Sequence, residues 1–475
     1  MGRRILANIL ALGGAQLVTM VTGAITAIVL ARALGPAVYG VLGFGVAVLS
    51  YFGLLVNMGM DVHGVREIAR DPAQGRGLAR MILTTRILFA VILFAVLVVA
   101  IPHFGRSQEV RDVLFIQGIG LFAVAITVDF YYQAKQRMGI GAVRQSAAAI
   151  AGALAVVLLV GGPGDLRLAA AVPIAVHMIS ALVLLGYFWL TRGAPAPSAG
   201  VTRLAFLRRA APVALMGVLM TIYINMDIVI LGYMVPETDV GLYVAASRVA
   251  MIAMVLANLV HSAFLPALSE AYGDDIAAMA AARNHARAVG FFGGAVGGAG
   301  MVLASAIIQI LFGPVYGDAQ WSLVLLMAHV LVFHLTAAFG TPLLAWQCDK
   351  PYTVILAAGA FVNIALNFVL IPSYGIAGAA AATVATQVLI WFGLMLLAKK
   401  AFGLSHNELM VRILGITAVA MATVWVVLKL FPENSGPWPL LILGGAIYVA
   451  IYSVLALAAG IISLPELRAL MKRGG

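Results

Sequence analysis

The chain has 475 residues, of which 63% are hydrophobic and 10% charged, and its mean hydropathy is +1.06. Soluble globular proteins are nearer half apolar and a quarter charged, so this composition excludes that class and indicates a polytopic membrane protein. The single cysteine, Cys348, excludes an intrachain disulfide and a cysteine-rich metal site.

Apolar runs of about 20 residues suffice to cross about 30 Å of hydrocarbon. The first run follows Met1-Gly-Arg-Arg and is too long for a signal-peptide core, so it is predicted to be an uncleaved span. About fourteen runs predict an all-α polytopic membrane protein. They cover roughly residues 8–30, 38–60, 81–101, 113–134, 144–161, 168–190, 211–235, 241–266, 288–312, 321–345, 352–371, 376–398, 411–431 and 438–462.

The cations are distributed unevenly between the two sides that these spans define. With the N-terminus inside, 23 of the 29 Lys and Arg residues fall on the inner side, and Arg248 lies within a span. The five on the outer side are Arg32, Arg106, Arg111, Arg167 and Lys429. By the positive-inside rule, both termini are predicted to be cytoplasmic. The same distribution explains the net charge of +11 without a nucleic-acid partner.

The two halves of the chain carry similar sequences after their first spans. Leu34-Gly35-Pro36-x-x-Tyr39-Gly40 follows the first span, and Val235-Pro236-Glu237-x-x-x-Gly241-x-Tyr243 follows the seventh. Because six spans separate them, both halves enter the membrane in the same direction, as in transporters with parallel repeats. In such transporters the substrate route lies between the halves. A linker at about 191–210, containing Pro195 and Pro197, separates them here.

The repeat predicts a chain of three parts. Residues 1–205 form a first lobe of six helices, residues 206–405 a second lobe of six, and residues 406–475 two additional helices. The last two spans fall outside the repeat and contain almost nothing polar, so they are expected at the periphery. No connection is long enough to form a soluble domain.

Asp227 and Arg248 break the pattern of uncharged apolar runs. A charge at membrane depth costs roughly 2.5–3.5 kcal/mol on insertion scales, so it usually faces a partner or a water-filled cavity. Two interpretations remain open: an ion pair that joins two helices, or the border of a polar cavity. Arg86, about five residues into its span, is expected to extend its side chain to the inner surface.

Neutral polar residues recur at helical spacing in several spans. A lone Asn, Gln or Thr is best explained by a hydrogen bond between helices, which contributes about 0.6 kcal/mol. Stripes in the first, second, seventh and eighth spans together favour a hydrated central cavity. Its predicted lining comprises Arg248, Arg32, Arg86, Asn57, Gln16, Asn225, Asn258, Asn363 and Asn367.

Sequence motifs of nucleotide hydrolysis and hydrolytic catalysis are missing from the chain. It holds no Gly-x-x-x-x-Gly-Lys-[Ser/Thr] loop, no His-Glu-x-x-His and no Gly-x-Ser-x-Gly. We therefore expect that it does not hydrolyse ATP and is not an enzyme, and we predict no cofactor or metal. An ion gradient or the downstream pathway must then drive any uphill transport.

Four groups of segments, in order from residue 31 to residue 380, carry a family resemblance. They are Ala31-Arg32-x-Leu34-Gly35-Pro36-x-x-Tyr39-Gly40 with Gly59-x-Asp61 and Arg66-Glu67-Ile68-Ala69-Arg70; Asn225-x-Asp227-x-x-x-Leu231-Gly232; Gly241-x-Tyr243-x-Ala245-Ala246 with Leu265-Pro266-x-Leu268-Ser269-Glu270; and Asn363-x-x-x-Asn367-x-x-Leu370-Ile371-Pro372-x-Tyr374-Gly375-Ile376-x-Gly378-Ala379-Ala380. The chain thus resembles Wzx-type oligosaccharide flippases of the multidrug/oligosaccharidyl-lipid/polysaccharide (MOP) exporter superfamily.

This resemblance implies a fold, a substrate and a location. The fold is two six-helix lobes in a V around a central cavity, and the two C-terminal helices are more like those of the lipid II flippases, where they form a lipid-binding groove. The substrate is a polyprenyl-diphosphate-linked oligosaccharide, moved from the inner to the outer leaflet by alternating access with proton or sodium coupling. The location is a bacterial or archaeal cytoplasmic membrane, with membrane lipids and polysaccharide assembly proteins as partners.

The chemistry of such a substrate gives candidate roles to the embedded charges. Arg248 is the first candidate for the diphosphate, because a guanidinium matches phosphate oxygens in a bidentate way. Arg32 and Arg86 are weaker candidates. The coupling ion is assigned to Asp227, favoured by its depth, or to Asp61 or Asp129.

Several rivals compete with the flippase interpretation. One is a multidrug or cation antiporter of the same superfamily, which would favour embedded carboxylates and aromatic residues, and another is a flippase of the lipid II type. A glycosyl polymerase or ligase would need a substantial outer loop with arginines or acids, whereas these loops are short. A non-transporting scaffold stays open as well, although the embedded charges argue against it.

Overall fold

The computed structural model describes residues 2–104, 107–191, 202–432 and 436–462, without the side chains of residues 2–12 and 104. The predicted linker prolines, Pro195 and Pro197, lie outside the described residues. The same holds for Arg106 and Arg192 and for the three C-terminal cations, Arg468, Lys472 and Arg473.

Helices make up nearly all of the described residues, and no β-strand occurs among them. The predicted all-α class is therefore confirmed, and the chain is a multi-pass membrane protein by the length and apolar character of its helices. The α-helices are α1 (Gly2–Asn57), α2 (Met60–Arg70), α3 (Gly75–Ala100), α4 (Gln108–Gly118), α5 (Gly120–Ile126), α6 (Asp129–Ala134), α7 (Met138–Leu159), α8 (Leu166–Leu190), α9 (Arg203–Met234), α10 (Glu237–Glu270), α11 (Asp275–Val302), α12 (Ala304–Phe312), α13 (Ala319–Ala345), α14 (Asp349–Phe402), α15 (Asn407–Lys429) and α16 (Pro437–Ala458).

The number of separate helices that could span a membrane is lower than the predicted fourteen spans. Within the described ranges, eleven helical segments are long and apolar enough to cross a membrane, or twelve if α11 and α12, bent by 74°, form one span. Two of these helices are interrupted by glycines with non-helical dihedrals, α1 at Gly35 (φ 75°) and α14 at Gly375 (φ 53°). Such angles suit glycine because it lacks a Cβ. Each interrupted segment exceeds 50 residues, enough for two crossings. The count of fourteen stays a prediction.

Packing divides the chain into two compact units, residues 1–241 and 242–475. The first unit contains α1–α9 and the first turn of α10, and the second contains the rest of α10 and α11–α16. The lobes predicted from the repeat have boundaries after residues 205 and 405. They are defined by sequence similarity and not by packing, and they stay predictions.

In the first unit, the core brings together helices that are distant in sequence. Met60 of α2, Ile82 of α3, Phe130 of α6 and Phe188 of α8 belong to one buried cluster. The span that contains α4, α5 and α6 is broken, because Thr127 takes an extended conformation (ψ 128°) between α5 and α6. The break frees backbone groups that a continuous helix would use internally.

The two glycines of the sequence repeat pack directly against backbone in the first unit. A Cβ on Gly40 would lie 2.0 Å from the carbonyl oxygen of Glu237, and a Cβ on Gly241 would lie 1.9 Å from that of Pro36. Small residues allow helix backbones in a membrane to approach this closely. The repeated glycines therefore hold the kinked region of α1 against the start of α10.

We predict that Gly241→Ala destabilises the protein by about 1–3 kcal/mol, because the added methyl group meets backbone that cannot rotate away. Thermal unfolding of the purified protein in detergent measures the change. Gly23→Ala, at a helical site with no neighbour within 4 Å of the new Cβ, is the matched control. Equal unfolding temperatures for the two variants would contradict the close approach.

In the second unit, a glycine stripe on α11 packs against the C-terminal helices. Tyr448 donates a hydrogen bond from its hydroxyl to the carbonyl oxygen of Gly294 (2.7 Å), and Tyr452 donates to that of Phe291 (3.0 Å). A Cβ on Gly298 would lie 1.9 Å from the Tyr448 hydroxyl. The glycine spacing of α11 thus serves packing. The expectation that the last two spans contain almost nothing polar is wrong at the two tyrosines, whose hydroxyls fix α16 to α11.

A buried histidine lies in the connection between α14 and α15, outside the membrane-spanning helices. His406 packs on Phe339, with ring centroids 5.6 Å apart. Burial, with a smaller contribution from Arg283, lowers the pKa of His406 to about 4, below its usual value of about 6.5. The folded protein therefore holds this imidazole neutral at pH 7.

We predict that the protein loses stability as the pH falls below about 6.5. Since the folded-state pKa is lowered, the unfolded chain binds this proton first, and the loss reaches about 2–3 kcal/mol by pH 4.5. Comparing the unfolding temperature of wild type and His406→Gln at pH 7.5 and pH 4.5 isolates this effect. His103→Gln, at an exposed histidine, is the control. An unchanged pH dependence in His406→Gln would refute the assignment.

Candidate functional site

The candidate site of the first unit is a buried arginine with its partners. Arg86 is the twelfth residue of α3, about 16 Å along the helix from Gly75. Its side chain is 1% exposed and forms an ion pair with Asp61, whose side chain is 45% exposed. The expected extension of Arg86 to the inner surface is therefore wrong. A guanidinium is costly to bury, and here the carboxylate supplies the compensating charge within the unit.

Neutral groups also contact this guanidinium, although its Nε is buried without a hydrogen-bond partner. Nη2 of Arg86 donates to Asn57 Oδ1, and Nη1 donates to the carbonyl oxygen of Thr127 at 3.2 Å. The guanidinium carbon lies 5.1 Å from the ring centroid of Phe130, at cation–π distance. Sequence analysis named Asn57, Asp61 and Arg86 separately, and the structure brings them together.

Two interruptions of the helices place these partners around Arg86. Between α1 and α2, Met58 (φ 45°) and Gly59 (φ 71°) are left-handed, which puts Asn57 and Asp61 on either side of a tight turn. The backbone N–H of Asp61 donates to Asn57 Oδ1 at 3.2 Å, so one amide oxygen serves both the turn and the arginine. The break at Thr127 supplies the carbonyl oxygen. Sequence reasoning missed Thr127, because a backbone acceptor leaves no mark in residue identity.

A second ion pair lies between α6 and α7. Nε of Arg144 donates to Asp129 Oδ1 at 3.0 Å, and Nη2 pairs with Oδ2 in a bidentate arrangement. Nη1 donates to Ser180 Oγ of α8 at 3.1 Å. Sequence analysis missed this pairing, having counted Arg144 only as an inner-side cation. Asp129 is engaged on both oxygens, whereas Asp61 keeps a more open carboxylate.

The remaining candidates are placed individually. In the first unit Gln16 and Arg32 are exposed, Asn225 is half-buried and Asp227 is buried. In the second unit Arg248 is half-buried and Asn258 exposed, while the amide nitrogen of Asn367 donates to Asn363 Oδ1 at 3.0 Å, with both residues buried. The Asn363–Asn367 bond suits helix packing. Their roles in substrate binding, the pairing of Asp227 with Arg248 and the central cavity stay predictions.

A metal-binding cluster of three or more His, Cys, Asp or Glu side chains is not found in the described part of the chain. In the first unit, Arg86 is instead paired with Asp61 and Arg144 with Asp129. Such an arrangement can hold a carboxylate ionised inside a membrane domain, and a half-exposed one can exchange its arginine for another cation.

Removing one partner of the Arg86–Asp61 pair at a time shows which of the two charges is more costly to leave without its partner. We predict that Asp61→Asn destabilises the protein by about 1–3 kcal/mol, because it leaves a buried, uncompensated guanidinium. Arg86→Met should cost less, because half-exposed Asp61 can be hydrated. Unfolding temperatures in detergent give the comparison.

The control for this asymmetry is an exposed ion pair. Asp112→Asn breaks the pair of Asp112 with Arg167, whose side chain is 76% exposed, and should change stability by less than about 0.5 kcal/mol. A larger loss in Arg86→Met than in Asp61→Asn would contradict the burial argument.

Comparison with known proteins gives one family match and several fold matches. A model of the family described as "Polysaccharide biosynthesis protein" matches residues 5–272. Comparison with curated protein sequences finds no match. The family match covers the residues of the Arg86–Asp61 and Arg144–Asp129 pairs.

Three solved structures share the fold. The lipid II flippase MurJ in its inward closed conformation aligns with a TM-score of 0.78 over 94% of this chain and 98% of that chain, at 13% identity. An inward-facing multidrug resistance MATE family transporter of the MOP superfamily gives 0.63 over 81% and 94%, at 15% identity. The MATE multidrug transporter DinF-BH gives 0.61 over 85% and 97%, at 16% identity. At these identities the likeness concerns the fold.

Proposed function

Because the chain belongs to the polysaccharide biosynthesis protein family, we propose that it is a flippase for polyprenyl-diphosphate-linked oligosaccharides. It moves these repeat units from the inner to the outer leaflet of a bacterial or archaeal cytoplasmic membrane. The family match is the observation that carries the proposal. The shared fold with MurJ and MATE transporters supports membership of the MOP superfamily, as the sequence motifs predicted.

The physical task explains why such a protein needs charge inside the membrane. A diphosphate and its sugars cannot enter hydrocarbon without losing hydration. Cations and neutral hydrogen-bonding groups replace that water, while the prenyl tail stays in lipid. In this proposal Arg248, with Arg32, receives the diphosphate, and the substrate crosses by alternating access between the two halves. Both termini are cytoplasmic, as the cation distribution favours.

The half-exposed carboxylate of the Arg86–Asp61 pair supports the proposal that Asp61 takes part in coupling. Arg86 is too buried in this conformation to bind a diphosphate, so we assign it to pairing with the Asp61 carboxylate. Asp61 then exchanges its arginine partner for a proton or sodium ion as the transporter changes state. Asp227, also buried in the first unit, remains a second coupling candidate.

Transport of a labelled polyprenyl-diphosphate oligosaccharide tests these roles. The protein is reconstituted in proteoliposomes, and an added reagent quenches the label only on substrate in the outer leaflet. Under a proton or sodium gradient, wild type should move labelled substrate to that leaflet, where the label is quenched. We predict that Arg248→Ala and Asp61→Asn reduce the rate at least tenfold at matched protein levels. Arg248→Lys should retain part of it, because the charge remains without the bidentate geometry.

Lys429→Ala, at an exposed cation on α15, is the control and should transport at the wild-type rate. Full activity of Arg248→Ala and Arg248→Lys would remove Arg248 from the mechanism. Absence of label transfer by wild type, combined with resistance to cationic drugs in cells that express it, would favour the antiporter instead.

A flippase of the lipid II type is the second candidate. Two observations favour it. The hydroxyls of Tyr448 and Tyr452 fix α16 to α11, and the alignment with the lipid II flippase MurJ covers nearly the whole of both chains. Competition between lipid II and the oligosaccharide lipid in the same proteoliposomes distinguishes the two substrates. The transporter fold and the absence of catalytic motifs from the sequence support a protein that performs no covalent chemistry.

A further inference from the structure

A basic pocket of about 660 Å³ lies within the first unit, away from the Arg86–Asp61 pair. Three cations line it: Arg76 from α3, and Lys135 and Arg137 from the turn between α6 and α7. Tyr131 and Tyr187 form part of its wall, and no carboxylate contributes to the lining among the described residues. The pocket is therefore suited to an anion.

The three cations differ in their freedom to bind a ligand. Arg76 is anchored, because its Nη2 donates to the carbonyl oxygens of Phe188 and Thr191 at the end of α8. Lys135 and Arg137 are exposed and form no ion pair with any described residue. The anchored arginine shapes the wall, and the two exposed cations are available to a negatively charged group.

An apolar groove of about 860 Å³ adjoins this pocket. It lies between α7 and α8, with Gly139, Ala147 and Ala151 along one side and Ile179 and Val183 along the other. The small residues of α7 recur at steps of four or eight and leave the groove open along one helix face. Tyr187 lines both the groove and the basic pocket.

The dimensions and polarity of the groove match one lipid chain. From Gly139 to Ala151, α7 rises about 18 Å, compared with about 15 Å for one leaflet of a 30 Å hydrocarbon core. Two polar side chains, Arg144 and Ser180, also line the groove. They bond to one another, and Arg144 is paired with Asp129, so its charge is already neutralised. The unpaired positive charges, Lys135 and Arg137, lie in the basic pocket that adjoins the groove.

We infer that the pocket and groove together bind an anionic phospholipid of the cytoplasmic leaflet, independently of the transported substrate. Its phosphate lies between Lys135 and Arg137, and one acyl chain lies in the groove between α7 and α8. The positive-inside rule places these cations on the inner surface, where anionic lipids attract basic residues. A lipid bound here would fill the crevice between two helices that the protein's own side chains leave open.

Binding of phosphatidylglycerol to the purified full-length protein, measured by native mass spectrometry in detergent, tests this inference. Phosphatidylcholine is the zwitterionic comparison. The double variant Lys135→Ala/Arg137→Ala should bind phosphatidylglycerol at least tenfold more weakly than wild type and should lose the preference over phosphatidylcholine. Lys399→Ala/Lys400→Ala removes two exposed cations from the same predicted side of the membrane and should bind as wild type.

A second pair of variants tests the groove. Ala147→Trp fills it from an exposed position and should weaken phosphatidylglycerol binding at least fivefold. Ala95→Trp, at an exposed position on α3, should not. Because Ala147 and Ala95 both face away from the core, neither substitution disturbs packing.

Three results would overturn the inference. One is unchanged phosphatidylglycerol binding in Lys135→Ala/Arg137→Ala or in Ala147→Trp. Another is equal binding of phosphatidylglycerol and phosphatidylcholine by wild type. The third is a competition result in which farnesyl diphosphate displaces bound phosphatidylglycerol at a lower concentration than unbound phosphatidylglycerol does. That result would assign the pocket to the prenyl diphosphate end of a substrate.

Discussion

The first unit depends on one constraint: a guanidinium buried among membrane helices needs a counter-charge and partners for its N–H groups. Arg86 receives the charge from Asp61 and hydrogen-bond acceptors from Asn57 and Thr127. A continuous helix would consume the Thr127 carbonyl internally, whereas the turn between α1 and α2 lets Asn57 Oδ1 accept from both the Asp61 N–H and Arg86. The breaks in the helices of this unit thus lie where the buried guanidinium takes its hydrogen-bond acceptors from them.

Helix packing in the two units relies on glycine in different ways. Lipid tails are as apolar as leucine, so helices within a membrane associate by close packing and hydrogen bonds rather than by hydrophobic burial. In the first unit, Gly40 and Gly241 bring backbone against backbone. In the second, glycines of α11 leave space for Tyr448 and Tyr452, whose hydroxyls donate to carbonyl oxygens of that helix. The C-terminal helices are therefore held by specific contacts.

The uneven exposure of the Arg86–Asp61 pair bears on how the proposed flippase works. A transporter needs charged groups that change partners, and a carboxylate can do so only where water or an ion reaches it. Asp61 meets this condition, whereas Asp129 is bound on both oxygens by Arg144. Depth in the membrane favoured Asp227 from the sequence, whereas accessibility favours Asp61, and both stay candidates for coupling.

The sequence by itself determined the class of the protein, its helical spans, the uneven distribution of its cations between the two predicted sides of the membrane, and its family motifs. These follow from composition, from periodicity along single helices and from residue identity. It also named Asn57, Asp61 and Arg86, each as a polar residue in an apolar span, but from separate positions. Only the tertiary structure joined them, added the Thr127 carbonyl and paired Asp129 with Arg144. The physical reason is that periodicity shows which face of a helix is polar, whereas the partner of that face depends on where the backbone breaks and how the helices pack.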